Sequence, residues 1–238
     1  MASVTTEIPH TLRVLWGEQP RPAARGLSRE RIVDCAIALA EAEGLEAVTI
    51  RRLAQDQGVT PMALYWHFKD KDLLLEGIAE RLLSDVALPP ASDEPWHEQL
   101  REVLSALLEV LSAHPAVADL VIARVLLSER GLQLAERTLS LLRAGGFTAE
   151  EAAQVSGHAL MSIVALVTQE PGLMVGEEPG VREERIRRKR AAFLALPPER
   201  FPNMLASADA FTECGNEPAY FDLGLDLFIE GVRGVRPG

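Results

Sequence analysis

Apolar residues recur every three or four positions along most of this chain, which is the spacing of one face of an α-helix. The first such segment lies between Ser28, a residue suited to capping a helix N-terminus, and Gly44, a residue suited to ending one. The next segments predict a helix over 50–57, capped by Thr49, and a short one from Thr60 to His67. A fourth helix is predicted from Lys71 to about Val86.

The same periodicity continues beyond Pro89-Pro90 almost to the end of the chain. It predicts helices near 95–113, 115–127, 129–145, 148–170 and 218–234. Thr148 and Glu151 have the spacing of a capping box. Residues 171–217 are less regular, with 182–190 as a candidate helix, and residues 1–26 are predicted to be a mostly irregular arm. Strand-like alternation is never sustained, so we predict an all-α fold.

Three short helices with a sharp glycine turn between the second and third have the layout of a helix-turn-helix. Ala54 is small enough for two helices to cross there, Gly58 tolerates a positive φ, and Leu64 supplies an apolar anchor. An ordinary helical hairpin has the same spacing, and from spacing alone the two interpretations have about equal weight. The predicted domains are an arm at 1–26, a DNA-binding head at 27–72 and a helical domain at 73–238.

The third helix has apolar residues on two faces, and one face is enough to anchor it. At about 100° per residue, Leu64 and Phe68 point to one side, together with Pro61. The opposite side and its flanks carry Met62, Ala63, Tyr65, Trp66 and His67. An alternative is that Trp66 packs on the helix that begins at Lys71. Otherwise this surface is exposed and suits a major groove.

Each of these residues has a plausible DNA contact. Met62 and Ala63 suit thymine methyl groups, and Thr60 suits a base or phosphate. Tyr65, His67 and Lys71 suit the phosphate backbone, while Arg51 or Arg52 suits a guanine edge or a phosphate. For each arginine a simple solvated position has roughly equal weight.

Composition and charge narrow the function classes. The net charge is −11, yet residues 21–71 contain eight Lys or Arg against seven Asp or Glu, so the acidic excess lies outside the predicted head. Cys35 and Cys214 are far apart, which favours neither a disulfide framework nor a zinc site. Neither a signal peptide nor an apolar run of membrane-spanning length is recognisable. We therefore expect a cytoplasmic protein without a membrane partner or a cofactor.

The motif Thr49-Ile50-Arg51-Arg52-Leu53-Ala54-Gln55, then Gly58-Val59, then Leu64-Tyr65-Trp66-His67-Phe68-Lys69-Asp70-Lys71, resembles the TetR family of bacterial transcriptional regulators. The likeness is specific in order and spacing over 28–83. The final stretch 221–231 and the Leu15-Trp16-Gly17 arm are similar to the tetracycline-repressor-like subgroup of that family.

This resemblance implies a homodimer with two DNA-binding heads, and helical C-terminal domains that bind an inducer and form a four-helix bundle from 148–170 and 218–234. An inducer would change the spacing of the heads and release the repressor from a palindromic operator. The positions that match DNA-contacting residues are Arg51, Thr60, Pro61, Met62, Ala63, Tyr65, Trp66, His67 and Lys71. Gly157, Ala159, Ser162, Gly224 and Gly231 permit close helix approach, either between subunits or within one.

One departure from the subgroup concerns the ligand. The histidines that hold magnesium–tetracycline there correspond by ungapped pairing to Ala87 and Val121, which cannot bind a metal. We therefore expect a different inducer. Candidate pocket residues are Arg124, His158, Met161, Trp96 and Phe147, although a structural role is the more frequent one for such residues.

Two other functions remain open at this stage. One is an interaction module that keeps the fold without operator binding, which an intact Arg51, Tyr65 and Lys71 make less attractive. The other is a helical enzyme, for which the chain offers no nucleophile elbow, phosphate loop or cluster of metal ligands.

Overall fold

The computed structural model describes residues 27–169, 179–212 and 217–235, and within these ranges it contains eleven α-helices and no strand. The predicted all-α class is confirmed, whereas the predicted arm at 1–26 lies outside the described residues. The helices are α1 Arg29–Glu43, α2 Ile50–Asp56, α3 Pro61–Tyr65, α4 Lys71–Asp85, α5 Trp96–Ser112, α6 Leu120–Arg124, α7 Glu129–Ala144, α8 Ala149–Thr168, α9 Pro179–Leu194, α10 Pro202–Ala206 and α11 Glu217–Gly234.

The N-terminal helices begin and end where the capping residues indicate. The Ser28 hydroxyl accepts a hydrogen bond from the Arg31 backbone N–H at 3.2 Å, and the Thr49 hydroxyl accepts one from the Arg52 N–H at 3.1 Å. Each bond satisfies a backbone donor that has no partner inside its helix. Gly44 ends α1 with a φ of 86°, a conformation that glycine adopts without a Cβ clash.

Helix α3 is shorter than the predicted span from Thr60 to His67. The backbone N–H groups of His67 and Phe68 both donate to the carbonyl oxygen of Leu64, each at 2.9 Å, so the chain turns out of the helix after Tyr65. Thr60 is of a residue type that favours helix N-caps and stands at that position, yet its side chain makes no capping hydrogen bond. Pro61, at the first helical position, has no backbone N–H. The first turn of α3 therefore has one fewer backbone donor that would need a capping partner.

The C-terminal region follows the predicted helices with two exceptions. In the less regular region 171–217, α9 extends beyond the candidate helix over 182–190, and α10 was not predicted. The helix predicted over 115–127 is reduced to α6, which is preceded by turns and followed by a 3₁₀ turn at Val125–Leu127. Pro115 has no N–H, and Val117 and Leu120 instead bond to carbonyls three residues back. The predicted capping box of α8 is confirmed, because Thr148 and Glu151 exchange both of its hydrogen bonds.

A continuous apolar core runs through the described helices, from Leu27 in the head to Val232 in α11. Helix α4 contacts α1 on one side and α5, α6 and α7 on the other, so it joins the three N-terminal helices to the larger helical part. There α5, α7 and α8 pack on one another, and α11 lies against α5 and α8. Within the described ranges, every helix is too short or too polar to cross a membrane.

Candidate nucleic-acid interface and ligand cavity

A tight turn joins α2 to α3 and sets the angle between them. Gly58 has a φ of 65°, and the Val59 N–H donates to the carbonyl oxygen of Ala54 at 2.9 Å. Ala54 is buried, and its small side chain allows the two helices to approach each other. The small residue, the positive-φ glycine and the apolar anchor therefore have the helix-turn-helix roles predicted for them.

Two fully buried side chains anchor α3 to the head. Leu64 and Phe68 are both 0% exposed, as their spacing predicted. A Cβ atom at Gly77 of α4 would lie 3.0 Å from the Phe68 ring, so glycine is what allows that ring to approach α4 so closely. On the ring's other side the Arg29 guanidinium lies 4.3 Å from the ring centroid, and its Nη1 donates a long hydrogen bond of 3.5 Å to the His67 carbonyl.

The outer face of α3 is apolar and exposed. Met62 is 65% exposed, Trp66 64% and Tyr65 47%. The alternative in which Trp66 packs on α4 is wrong, because such packing would bury the indole. Pro61 is also exposed, although it shares a side of the helix with Leu64 and Phe68, and Ala63 is half-buried. A helix this short cannot be stable by itself, so its exposed apolar surface depends on the anchors beneath it.

The cationic residues of the head differ in their freedom to reach DNA. Arg51 is exposed on α2, and Lys71 is half-buried at the start of α4. Arg52 is held by two carboxylates, at 2.7 Å from Glu43 and 3.0 Å from Asp56. The hydrogen bonds to Glu43, and then those to Asp56, raise the pKa of Arg52. Of the two arginines considered for a base or phosphate, Arg51 is thus the better placed.

His67 is less accessible than its neighbours in the aromatic cluster. Its ring is half-buried, and its Nε2 atom is buried without a hydrogen-bond partner among the described residues. A phosphate contact from His67 would therefore need the ring to turn outward. Thr60 is exposed, and its hydroxyl is not used for capping.

A separate apolar cavity of about 220 Å³ lies inside the larger helical part. It is bounded by α5, α7, α8 and the 3₁₀ turn Val125–Leu127. Its lining residues are Leu104, Leu107, Val125, Leu126, Leu134, Ala135, Thr138, Leu139, Ala153, Ser156, Gly157, Ala159 and Leu160. Their apolar character gave no signal in the sequence, because a residue that lines a cavity has the same pattern as one that fills a core.

A larger cleft of about 440 Å³ lies between the start of α5 and the end of α11, lined by Trp96, His97 and the Glu230–Arg233 ion pair among others. This cleft is open to solvent. The apolar cavity has walls from four elements and the apolar lining that is typical of ligand sites. The smaller cavity is therefore the candidate ligand site.

None of the five predicted pocket residues lines the apolar cavity. Arg124 lies at the end of α6, next to the cavity wall, while His158 and Met161 are exposed on the outer side of α8. Trp96 lines the open cleft. Phe147 is buried, and its ring centroid lies 5.9 Å from that of Trp96. Their assignment to ligand binding stays a prediction.

Two family models match consecutive parts of the chain. Residues 32–78 match the bacterial regulatory proteins of the tetR family, and residues 88–236 match the tetracyclin repressor-like C-terminal domain. The second match alone covers more than half of the chain. The chain belongs to the TetR family. It is therefore a DNA-binding transcriptional regulator and not an enzyme.

Individual relatives agree with this assignment. The class C tetracycline repressor protein of Escherichia coli is 30% identical over 88% of this chain and 92% of its own. An HTH-type transcriptional regulator of Saccharopolyspora erythraea is 27% identical, over 87% of this chain and 84% of its own. The structure of the TetR-family protein ActR from Streptomyces coelicolor, in complex with actinorhodin, has a TM-score of 0.72 at 30% identity and covers 90% of this chain and 100% of its own.

The small residues of this TetR-family chain divide into two groups. A Cβ at Gly224 of α11 would lie 2.4 Å from the Leu166 side chain of α8, and Ala159 is buried, so both serve packing within one subunit. Gly157 and Gly231 have nothing within 4 Å of an added Cβ. Gly157 borders the apolar cavity, whereas Gly231 faces outward together with the exposed Met161, Leu223 and Leu227. Helices α8 and α11 thus share an exposed apolar face.

The two positions that correspond to metal-binding histidines in the subgroup are unsuited to a metal. Val121 is buried in the core and Ala87 is exposed. Among the described residues there is also no group of three or more His, Cys, Asp or Glu that could hold a metal ion. The chain therefore lacks histidines at the two positions that the resemblance implies for magnesium–tetracycline.

Proposed function

We propose that this TetR-family protein is a repressor that binds a palindromic operator as a homodimer and releases it when a small molecule occupies the apolar cavity. The observation that carries the proposal is α3, whose exposed Met62, Tyr65 and Trp66 are held outward by the buried Leu64 and Phe68. We also expect the protein in the cytoplasm, because the operator DNA that it would bind is located there.

We assign the DNA contacts as the sequence predicted. Helix α3 enters the major groove with its N-terminal end toward the bases, so Met62 and Ala63 meet thymine methyl groups. Thr60 hydrogen-bonds a base or a phosphate, and Tyr65, Lys71 and an outward-turned His67 contact the phosphates. Pro61 and Trp66 complete the proposed contact surface. Arg51, which is exposed on α2, reaches a base edge or a phosphate. We propose 27–72 as the head and 73–238 as the domain for ligand and dimer contacts.

A second copy of the chain is the proposed partner for the exposed face of α8 and α11. Leu223 and Leu227 lie four residues apart on α11, at 60% and 68% exposure, and Met161 is exposed on the adjacent α8. Burying such a face stabilises a dimer through apolar contact. Gly231 lets the partner's helices approach closely. Two heads related by a twofold axis require an operator with matching half-sites.

The ligand part of the proposal is supported by the cavity and by the relatives. ActR is known in complex with actinorhodin, and other relatives are named as tetracycline repressors. The cavity of this chain lies between helices that also reach the head through α4. A ligand that changes the packing of those helices would change the spacing of the two heads, and hence the operator affinity.

The operator proposal is tested by selection from a randomised duplex library, followed by binding measurements on the selected duplex at several salt concentrations. We expect a palindromic consensus and an affinity that falls as salt rises, because phosphate contacts release counterions. Arg51→Ala combined with Tyr65→Ala should lose this binding and keep the melting temperature. Arg182→Ala, which removes an equal charge from exposed α9, is the control. Selection without any consensus would leave an interaction module as the better function.

The dimer proposal is tested by sedimentation equilibrium. Leu227→Glu should produce monomers, because it places a charge in the centre of the apolar face. Val181→Glu, at another exposed apolar residue of similar exposure on α9, should remain dimeric. A wild type that sediments as a monomer would contradict the proposal.

A further inference from the structure

We infer that the apolar cavity selects an uncharged, largely hydrocarbon ligand and discriminates against an anionic molecule of the same ring skeleton. This inference rests on the proposed function, because it names the chemical class of the inducer that would occupy the same site. It uses three features of the cavity: the charge of its walls, the state of its hydroxyl groups and the shape of its opening.

The walls provide no counter-ion. Among the described residues that line the cavity, none is charged, and Thr138 and Ser156 carry the polar side chains. An ion that leaves water without meeting an opposite charge or several hydrogen bonds loses its hydration free energy uncompensated. A neutral molecule loses far less and gains the contact of leucine, valine and alanine side chains.

The nearest arginines on the neighbouring segments are not part of the wall. Arg124 precedes Val125 but does not line the cavity. Arg137 lies on α7 between lining residues, yet its guanidinium donates to the Gln99 side chain at 2.7 Å. Gln99 in turn donates to the backbone carbonyls of Ser92 and Glu94, so this arginine is tied to the start of α5. The Nε atom of Arg137 is buried without a hydrogen-bond partner among the described residues, but Arg137 does not line the cavity.

The two hydroxyls restrict the polar part of the ligand. The Thr138 hydroxyl already donates to the backbone carbonyl of Leu134 at 2.9 Å, so it has only acceptor capacity left. Ser156 is half-buried on the facing wall of α8. A ligand N–H or O–H directed at Thr138 therefore fits, and a second polar group can pair with Ser156. A cluster of ionised oxygens finds too few donors.

The volume of the cavity and the residues at its opening limit the size of the ligand. At about 220 Å³ the cavity is smaller than most ligand sites, which begin at roughly 300 Å³. Ala153 and Gly157 are exposed at its edge on α8, and Leu126 is exposed on the 3₁₀ turn. A flat ring system of two or three rings can enter between them and displace the flexible end of Leu126.

A matched pair of fluorescent probes tests this inference on the full-length protein. N-phenyl-1-naphthylamine and 8-anilino-1-naphthalenesulfonate share one ring skeleton, and the second adds a sulfonate. We expect the neutral probe to bind with one site per subunit and at least about tenfold more tightly. Equal or tighter binding of the sulfonate in the cavity would overturn the inference.

Variants locate the probe and separate cavity binding from general apolar binding. Ala135→Leu fills the cavity from α7 and should weaken the neutral probe at least about tenfold. Ala144→Leu makes the same change at an exposed position of the same helix, outside the cavity, and should leave binding unchanged. If both variants bind the neutral probe like the wild type, the probe is elsewhere and the inference fails.

A charge-gain variant keeps the test valid if Ala135→Leu does not fold. Ser156→Lys places an ammonium at the half-buried edge of the cavity and should reverse the preference, so that the sulfonate binds more tightly than the neutral probe. An unchanged preference would show that wall charge does not decide selection. Failure of the operator selection would remove the proposed repressor function and would leave these probe results interpretable, because they involve no DNA.

Discussion

A methyl group at Gly131 should disrupt the cavity wall. Gly131 is in the first turn of α7, and a Cβ added there would lie 1.7 Å from the backbone carbonyl oxygen of Val125. Side-chain Cβ atoms essentially never approach another atom closer than 3.0 Å, so the 3₁₀ turn Val125–Leu127 must move by at least about 1.3 Å. Because the atom in the way is backbone, a side-chain rotation cannot relieve the clash.

The expected loss of stability follows from two opposing effects. Replacing glycine by alanine inside a helix stabilises it by up to about 1 kcal/mol. Overpacking a well-packed site costs about 1–3 kcal/mol, and here the cost falls at the upper end because backbone has to shift. We therefore expect Gly131→Ala to lower the free energy of unfolding by about 1–2 kcal/mol. For a protein of this size that corresponds to a melting temperature lower by roughly 3–6 °C.

The measurement combines thermal melting with binding of N-phenyl-1-naphthylamine. Gly131→Ala should melt earlier and bind the probe more weakly, because Val125 and Leu126 line the cavity. Gly180→Ala is the control, since an added Cβ there has nothing within 4 Å, and it should melt at or slightly above the wild-type temperature. A Gly131→Ala protein with unchanged melting and probe affinity would refute the close approach of α7 to the 3₁₀ turn.

Three further changes test the head. Phe68→Ala should lower the free energy of unfolding by about 3–5 kcal/mol, measured by urea unfolding, because it empties a fully buried site. Arg29→Gln should weaken the selected operator more than Arg29→Lys, since both lose the guanidinium over Phe68 and Gln also loses the charge near the His67 carbonyl. Burial raises the pKa of Glu41, and a hydrogen bond from the Ala116 N–H partly offsets this rise. The stability contributed by Glu41 is therefore present below the usual pKa of a Glu carboxyl, and it is lost as the pH rises through the higher folded pKa. Glu41→Gln should therefore gain melting temperature relative to wild type as the pH rises above 4.5, the ordinary pKa of a Glu carboxyl.

Each of these three predictions has a result that would contradict it. An unchanged urea midpoint for Phe68→Ala would contradict its role as the anchor of α3. If both Arg29 variants keep full operator affinity, the contact with the end of α3 has no part in positioning it. A constant difference in melting temperature across the pH range would show that Glu41 titrates alike in the folded and unfolded states.

Local sequence signals predicted much of the head and several helix ends outside it. Ser28, Thr49 and the Thr148–Glu151 pair cap their helices as expected, because a cap depends on residues within one turn. The positive φ at Gly58 and the burial of Leu64 and Phe68 also follow from short-range spacing. The helix predicted over 115–127 was too long, since Pro115 breaks the hydrogen-bonding pattern at its start.

Contacts between distant residues decided what the local pattern left open. Arg51 and Arg52 are equivalent in sequence, yet Glu43, nine positions away on another helix, pairs with Arg52 and leaves Arg51 to the solvent. Likewise, the closeness of Gly224 to Leu166 separates a glycine that packs within the subunit from Gly231, which faces outward.

The sequence by itself determined the helical class, the caps, the glycine turn and the family, because each depends on residue type at fixed short spacing. Only the tertiary structure showed which apolar residues surround a cavity. Leu104, Leu134 and Leu160 follow the same period as fully packed core residues, and they differ only in lacking neighbours on one side. The cavity forms where α5, α7 and α8 meet. The spacing of apolar residues along a single helix does not indicate whether such a cavity is present.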